Sequence, residues 1–340
     1  MELIKVQDAV GSVLMHDITK IIPGKFKGRA FSKGHIIKEE DIPEFLKLGK
    51  EHVYVGELSP DKVHEHDAAI RIAKAISGEG LTSNEPIEGK ITLRAAHDGM
   101  CYVNEELLIQ INMIDDMAVA TRNHKRPVKK GDSIAALKII PLAVDGAKLD
   151  LVEQIAEEED IVSVKPFRSF KVGVVTTGNE LYTGLTEEKF GPVIKNKLAE
   201  YGCEFFKQVI VPDDAEEIRR AMEELIAEGA ELILSTGGMS VDPDDVTPTA
   251  IKATGAEIIS YGVPVFPGAM FLIAYLGDVP ILGIPGAVSY FRITVFDLIF
   301  PLVLAEQRIE KRDLAKLGMG GLCLNCKVCH YPICTFGTGA

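Results

Sequence analysis

Residues 236–248 combine residue types that can bind a phosphate group through a metal ion. The run is Thr-Gly-Gly-Met-Ser-Val-Asp-Pro-Asp-Asp-Val-Thr-Pro. Paired glycines after a strand let the backbone turn sharply and present successive N–H groups to an anion. The hydroxyls of Thr236 and Ser240 add donors. Carboxylates can hold Mg²⁺, which bridges to a phosphate, and the candidates are Asp242, Asp244 and Asp245. The alternative is an acidic loop that caps a helix, with Asp245 or Thr247 as the N-cap.

A second cluster lies near the C-terminal end, where four of the six cysteines fall within twelve residues. Such a cluster, outside an oxidising compartment, indicates metal binding more than a disulfide framework. Three readings stay open: a zinc site with C-x₂-C-x₃-H-x₃-C spacing, an iron–sulfur cluster on all four thiols, or no metal. The residues are Cys323, Cys326, Cys329, His330 and Cys334. The glycines of residues 318–321 predict a flexible tether before them.

Weaker candidates have simpler explanations. Residues 64–67, His-Glu-His-Asp, are interpreted as a solvated helix start, because residues two apart do not share a helix face. Cys101 and Cys203 are expected to be buried as small apolar side chains. The basic residues of 125–130 are expected to form a solvated turn.

Composition limits the class of protein. The chain has 340 residues and a formal net charge of −13, a length typical of two or three domains. This charge argues against general nucleic-acid or anionic-membrane binding, which need a basic surface. The apolar stretch 293–305 is interrupted by Asp297 and Pro301, too short and broken to span a bilayer. With no apolar leader at the N-terminus, we expect a cytoplasmic protein.

Strands and helices alternate between residues 169 and 305, which predicts an α/β domain with a doubly wound, mostly parallel sheet. The strands are predicted at 171–176, 205–211, 230–234 and 279–284, and the helices at 192–201 and 213–228. In such sheets ligands bind at the carboxyl ends of the strands. The loops 177–180, 235–240 and 283–286 all follow strands, so we expect the chemistry there.

Three further regions complete the predicted organisation. Residues 1–58 are predicted to be a small α+β region, with a strand leading into a short helix over 33–43 and a strand at 52–55. Residues 59–168 are predicted to be a second α+β region, with helices at 61–77 and 149–160 and short strands that include 90–93, 100–103 and 107–111. Residues 306–340 form the Cys-rich tail.

Several motifs in the α/β region occur in the order of a known family. They are Thr177-Gly178-Asn179-Glu180-Leu181, Asn196, Asp214, residues 236–248, Pro267-Gly268 and Ile284-Pro285-Gly286. Together, over residues 171–305, they resemble the molybdopterin-binding domain of molybdenum-cofactor biosynthesis proteins. Residues 6–18 resemble the opening of the molybdopterin molybdenumtransferase branch. The chain departs from that branch in lacking its C-terminal β domain, the base after Pro267-Gly268 and the amide after Pro285-Gly286.

The resemblance implies a site for molybdopterin or its adenylylated form. Thr236, Gly237, Gly238 and Ser240 would hold the phosphate; Asp242 and Asp245 would hold Mg²⁺, helped by Asp214. Thr177, Gly178, Glu180, Gly268, Pro285 and Gly286 would line the pterin side, with Asp245, Asp214 and Glu180 as the catalytic candidates. Glu180 has a surface carboxylate as its alternative.

Three functions follow from the resemblance. The first is molybdate insertion, the second a non-catalytic molybdopterin carrier or sensor with a metal-binding tail, and the third molybdopterin adenylylation. The expected partners are the pterin, molybdate and a molybdoenzyme or cofactor-pathway protein, in a homo-oligomer without nucleic acid or membrane.

Overall fold

The computed structural model describes residues 1–22, 24–240, 242, 245–305 and 308–339, and no side chain is described for Lys27. In the first half of the chain the strands are β1 (Glu2–Lys5), β2 (Ile18–Ile22), β3 (Phe26–Phe31), β4 (His52–Val55), β5 (Lys62–His64), β6 (Leu81–Ser83), β7 (Lys90–Ala95), β8 (Gly99–Val103), β9 (Met117–Thr121), β10 (Arg126–Val128), β11 (Ser133–Ile139), β12 (Ala143–Asp145) and β13 (Val162–Pro166). The helices are α1 (Ile42–Lys47), α2 (Glu65–Ile76), α3 (Glu105–Asn112) and α4 (Gly146–Ala156).

In the second half the strands are β14 (Lys171–Thr177), β15 (Glu204–Val211), β16 (Leu232–Thr236), β17 (Glu257–Tyr261), β18 (Leu272–Leu276) and β19 (Val279–Ile284). The helices are α5 (Asn179–Tyr182), α6 (Phe190–Ala199), α7 (Ala215–Ala227), α8 (Thr247–Ala253), α9 (Val295–Leu304) and α10 (Lys311–Lys316). Two compact units result: Met1–Ala96, Val103–Arg122 and Gly131–Ser163 form the first, and His97–Tyr102, Asn123–Lys130 and Val164–Ala340 form the second.

The second unit contains a six-stranded sheet in the order β15-β14-β16-β19-β18-β17. The first four strands of this order, β15, β14, β16 and β19, are parallel to one another. Strand β18 pairs antiparallel with β19, and β17 pairs antiparallel with β18. The predicted α/β class and mostly parallel sheet are therefore confirmed. The sequence reading missed β17 and β18, since it assigned no strand between residues 235 and 278.

Alternate residues of the central strands enter two different cores. Val172 and Val174 face a cluster that includes α9, whereas Val175 and Ile233 face a cluster that includes Ile218 and Met222 of α7. Because successive side chains of a strand point to opposite faces, the sheet is buried on both sides. This burial accounts for the continuous apolar runs of its strands.

The first unit has smaller sheets and its own cores. A four-stranded antiparallel sheet has the order β6-β7-β11-β9, and β1 pairs with β4, β2 with β3, and β5 with β12. Val6, Leu14, Phe45 and Val53 form a core around α1. Gly49 follows α1 with φ +73°, as expected for a helix that ends at a glycine.

Three local predictions were wrong. Residues 107–111 are part of helix α3 and not a strand, because the Asn104 side chain accepts the Leu107 N–H at 3.1 Å and caps the helix. Residues 62–64 form β5, so α2 begins only at Glu65. The apolar pair predicted as a strand near residue 36 makes a single bridge between Val13 and Ile36.

Within the described ranges, every helix is too short or too polar to cross a membrane.

Candidate functional site

A cavity of about 580 Å³ lies in the second unit beside the ends of β16 and β19. Eight of the residues predicted for the site line it: Gly237, Gly238, Ser240, Asp242, Asp245, Gly268, Pro285 and Gly286. The carboxyl ends of neighbouring parallel strands thus meet where this sheet architecture places ligands.

The two glycines of the turn after β16 have positive φ angles, a backbone conformation that favours glycine. Gly237 has φ +90° and Gly238 has φ +58°. A Cβ on Gly237 would lie 2.2 Å from the Thr177 carbonyl oxygen, and one on Gly238 would lie 2.6 Å from Thr247 Oγ1. The Thr247 hydroxyl also donates to the Gly237 carbonyl at 3.0 Å. The turn is therefore packed closely against two neighbouring threonines.

The Asp245 carboxylate closes the loop that follows the turn. Its Oδ2 atom accepts the N–H of Ser240 at 2.9 Å and that of Asp242 at 3.3 Å. Asp245 and Thr247 do not cap α8, whose N-cap is Val246 without a side-chain hydrogen bond. The helix-capping alternative is therefore wrong. Asp244, the third carboxylate of the prediction, lies outside the described residues.

Tyr261 supports the same loop from β17. Its hydroxyl lies 3.0 Å from the carbonyl oxygens of both Met239 and Ser240, to which it can donate. Burial, and then the nearby Asp245 carboxylate, raise the pKa of this hydroxyl above its ordinary value. Tyr261 therefore keeps its proton at neutral pH and can hold the loop carbonyls.

Five predicted residues do not line this cavity. Thr236 is buried and its hydroxyl donates to Thr176 Oγ1 at 3.0 Å, so it joins strands β14 and β16. Asp214 caps α7 by accepting the N–H groups of Glu216 and Glu217. Thr177 is buried, and its hydroxyl has no hydrogen-bond partner among the described residues. Gly178 and Glu180 lie in the loop and short helix after β14.

Sequence reasoning missed other lining residues, namely Phe190, Met239, Phe266, Ala269, Met270, Ile284 and Ala287. These are apolar, and apolar residues beside a strand end carry no signal that separates a cavity wall from a core. Met239 is an example, because it is buried and its side chain packs against Gly283, where a Cβ would lie 2.6 Å from Met239 Cε.

The charge of the cavity comes from Asp242 and Asp245. Among its described lining residues there is no Lys, Arg or His. Asp242 is exposed and Asp245 is half-buried. Two carboxylates repel a phosphate, and a cation between them and an anionic ligand would reduce that repulsion.

A separate cavity of about 220 Å³ in the second unit is lined by all five potential ligands of the tail: Cys323, Cys326, Cys329, His330 and Cys334. As placed, no three Cys, His, Asp or Glu side chains in the described part of the chain form a group that could hold a metal ion.

The flexible tether predicted for residues 318–321 is wrong for its last two residues. Gly321 accepts the Phe266 N–H at 2.7 Å, and Gly320 accepts the Gly337 N–H at 2.9 Å.

Comparison with known proteins matches two parts of the chain to family models. Residues 173–305 match a family described as "Probable molybdopterin binding domain", and residues 3–57 match a domain of unknown function. The first range runs from the third residue of β14 to the end of α9 and contains the described residues of the loop that lines the larger cavity.

Individual relatives are similar over different lengths. A molybdopterin molybdenumtransferase of Haemophilus influenzae is 24% identical over 317 residues, which is 90% of this chain and 73% of the relative. A molybdopterin adenylyltransferase of Pyrococcus furiosus is 36% identical over 95 residues, which is 28% of this chain and 56% of the relative. A CinA-like protein of Mycobacterium sp. (strain MCS) is 36% identical over 92 residues, 27% of this chain and 22% of the relative.

Among solved structures, the tungsten cofactor synthesizing protein MoaB from Pyrococcus furiosus is 25% identical, with a TM-score of 0.31, over 41% of this chain and 91% of that one. The chain spans about half of the length of the adenylyltransferase and less than a quarter of the CinA-like protein.

Proposed function

We propose that this chain, whose residues 173–305 belong to the molybdopterin-binding domain family, binds molybdopterin or adenylylated molybdopterin in the larger cavity and inserts molybdate with the help of Mg²⁺. The observation that carries the proposal is the pairing of a glycine turn with two carboxylates in one cavity at the strand ends. The first supplies donors for a phosphate, and the second supplies oxygen ligands for a hard cation.

The donor set fits Mg²⁺ bound together with its ligand. Mg²⁺ in proteins is held by one or two carboxylates, several waters and the oxygens of a substrate phosphate. Asp242 and Asp245 provide two carboxylates, and Asp245 Oδ1 has no hydrogen-bond partner in the described part of the chain. When bound, the ion would neutralise charge between the carboxylates and a phosphate and would polarise oxygen atoms bound to it.

The protein's own residues would position the ligand. The backbone of Gly237 and Gly238 would approach the phosphate closely because neither residue has a side chain. Asp245 and Tyr261 hold the loop in shape through its N–H and carbonyl groups. Gly268, Pro285 and Gly286 would form the opposite wall, against the pterin. Catalysis of this kind depends on positioning and charge more than on proton transfer.

A second candidate is a non-catalytic molybdopterin carrier or sensor whose tail holds a metal. It is favoured by the lack of a cationic side chain among the described lining residues, because insertion requires an oxyanion to be held beside the pterin. The adenylyltransferase function is a third candidate, and the 95-residue similarity to such an enzyme supports it.

Two parallel incubations separate the three candidate functions. The protein is mixed anaerobically with molybdopterin, ATP, Mg²⁺ and molybdate, and with adenylylated molybdopterin and molybdate in parallel. AMP release with formation of the molybdenum cofactor from the adenylylated substrate supports insertion. Adenylylated product from molybdopterin and ATP supports the transferase. Binding without either product supports the carrier, and no binding of either pterin would overturn the proposal.

A further inference from the structure

The first unit contains a cavity of about 590 Å³, which is lined both by the β2–β3 hairpin and by the sheet that includes β7 and β11. It is separate from the pterin cavity, since the two have no described lining residue in common. A second cavity of about 370 Å³ shares Asp17, Arg29 and Glu88 with it, so the two adjoin. Cavities of about 300–1,000 Å³ are of the size that binds small organic molecules.

Two lysines of this cavity lie directly opposite each other on neighbouring strands. Lys90 of β7 is the antiparallel partner of Lys138 of β11, and both line the cavity. Thr92, two residues along β7, also lines it, as expected for side chains on one face of the sheet. Opposite side chains have Cβ atoms roughly 5 Å apart, and like charges in that position are destabilising. An anion bound by both ammonium groups would offset this repulsion.

Contacts within the protein leave part of this positive charge unpaired. Lys138 Nζ lies 3.5 Å from Glu65 Oε2 and also donates to the Glu88 carbonyl. Lys90, in contrast, is exposed, and its ammonium group has no hydrogen bond or ion pair with any described residue. All three N–H donors of Lys90 are therefore available to a ligand.

The two carboxylates of the cavity are already bonded to protein groups. Asp17 Oδ2 lies 2.9 Å from Arg29 Nε, and Asp17 Oδ1 accepts the Lys33 N–H at 2.8 Å. Glu88 accepts the Thr19 hydroxyl. The two terminal NH₂ groups of Arg29 have no partner among the described residues. With three cationic and two anionic side chains, the cavity carries a net charge of +1 in a chain of −13.

We propose that this cavity binds the phosphate group of a small organic molecule through Lys90, Lys138 and Arg29. The three cations come from two walls, because the lysines belong to the sheet and Arg29 belongs to β3. A tetrahedral phosphate directs its oxygens to several sides at once, which suits donors on two walls better than a planar carboxylate does. The guanidinium fork can also bind two phosphate oxygens together.

The rest of the molecule would occupy the remaining volume and the adjoining cavity. Lys33 lines that second cavity, and its ammonium group has no ion pair with any described residue. A second anionic group on the ligand would find a partner there. The proposal concerns the first unit alone and does not depend on the pterin function.

The test uses pyrophosphate as the probe and the full-length chain in EDTA, so that no metal-bridged phosphate can bind at Asp242 and Asp245. Isothermal titration should show one pyrophosphate per chain, with an affinity that falls as NaCl is raised, because salt screens the attraction between charges. Lys90→Gln should weaken binding at least about tenfold, and so should Arg29→Gln. Circular dichroism checks that each variant is folded, which matters most for Arg29→Gln because it also removes the contact with Asp17.

Thermal unfolding gives a second readout. A ligand that binds the folded state raises the unfolding temperature, so pyrophosphate should raise that of the wild type more than NaCl does at equal ionic strength. It should give no such excess in Lys90→Gln. Without pyrophosphate, Lys90→Gln should be at least as stable as the wild type, because the repulsion with Lys138 is gone.

Lys74→Gln is the matched control. It removes the same charge from an exposed lysine of α2 that lines neither cavity, and it should bind pyrophosphate as the wild type does. The proposal would be overturned by lack of saturable binding in the folded wild type or by equal affinity of Lys90→Gln and wild type. An equal loss in Lys74→Gln, or tighter binding of citrate than of pyrophosphate, would also overturn it.

Discussion

The Asp245 carboxylate accepts the Ser240 N–H at 2.9 Å, so a side chain proposed as a metal ligand also closes the loop of the pterin cavity. Both hydrogen bonds that the described residues make to this carboxylate go to Oδ2, so Oδ1 is the atom that we propose for the metal ion. Asp245 therefore contributes both to the shape of the loop and to its negative charge, and substitutions must be chosen to separate the two effects.

Asp245→Asn separates the charge from the hydrogen bond. The amide oxygen can still accept the Ser240 N–H, while the ligand for Mg²⁺ loses its charge. We expect folding and loop shape to persist and Mg²⁺-dependent pterin affinity to fall at least about tenfold, or about 1.4 kcal/mol. Isothermal titration with and without Mg²⁺ measures this. Glu257→Gln, at an exposed carboxylate of β17 outside the cavity lining, is the matched control and should bind as wild type.

Gly238→Ala tests the close packing of the turn. Its Cβ would meet Thr247 Oγ1 at 2.6 Å in a left-handed backbone conformation, and a residue forced into such a conformation costs about 1–3 kcal/mol. Denaturant unfolding should show a loss of that size. Gly286→Ala is the control, because nothing lies within 4 Å of its Cβ and its φ is not positive. Equal stability of the two variants would contradict the packing described for the turn.

Lys197→Met tests a buried ion pair beneath the second unit's sheet. Lys197 Nζ lies 2.5 Å from Asp297 Oδ1 and also donates to the Arg292 carbonyl, and both side chains of the pair are about one-tenth exposed. Leaving one member of a buried pair alone typically costs about 3–5 kcal/mol. Lys207→Met, which breaks the exposed pair with Glu228, should cost no more than about 1 kcal/mol. Similar unfolding free energies for both would contradict the role of burial.

His64 is predicted to make the first unit sensitive to acid. Its Nε2–H donates to the Met15 carbonyl at 2.8 Å, and its Nδ1 accepts the His66 N–H at 3.1 Å, an arrangement that requires the neutral ring. Burial is the largest cause that lowers the pKa of His64, and the charges of Lys33 and His66 lower it further, while the Met15 hydrogen bond and Asp67 oppose them.

Because the pKa of His64 is lower in the folded than in the unfolded state, the unfolded state takes up more protons below about pH 6.5, and stability falls as the pH decreases through that range. An asparagine side chain at this position can also accept the His66 N–H and so cap helix α2. Between about pH 8 and about pH 5.5, the unfolding temperature of His64→Asn should therefore decrease less than that of the wild type. The exposed His52→Asn should behave as wild type; an unchanged slope in His64→Asn would contradict the assignment.

Much of the parallel sheet was predictable because strands buried on both faces are continuous apolar runs that end at recognisable glycine turns. The same reasoning selected Gly237, Gly238, Asp242 and Asp245, and the structure has all four lining one cavity. Sequence reasoning could not show that Asp214 caps a helix or that the Thr236 hydroxyl donates to Thr176, because an aspartate or a threonine is the same residue type in a binding site and in a structural contact. It read residues 107–111 as a strand because five apolar or amide residues carry no clear period, and the Asn104 cap was overlooked.

The most direct test of the account is equilibrium binding of molybdopterin to the full chain, measured anaerobically with Mg²⁺, with EDTA and with the Asp245→Asn variant. We expect binding in the presence of Mg²⁺, and at least about tenfold weaker binding in EDTA and in the Asp245→Asn variant. Binding that is equally tight in all three conditions would contradict the metal-bridged site, and no binding in any of them would contradict the assignment of the cavity to the pterin.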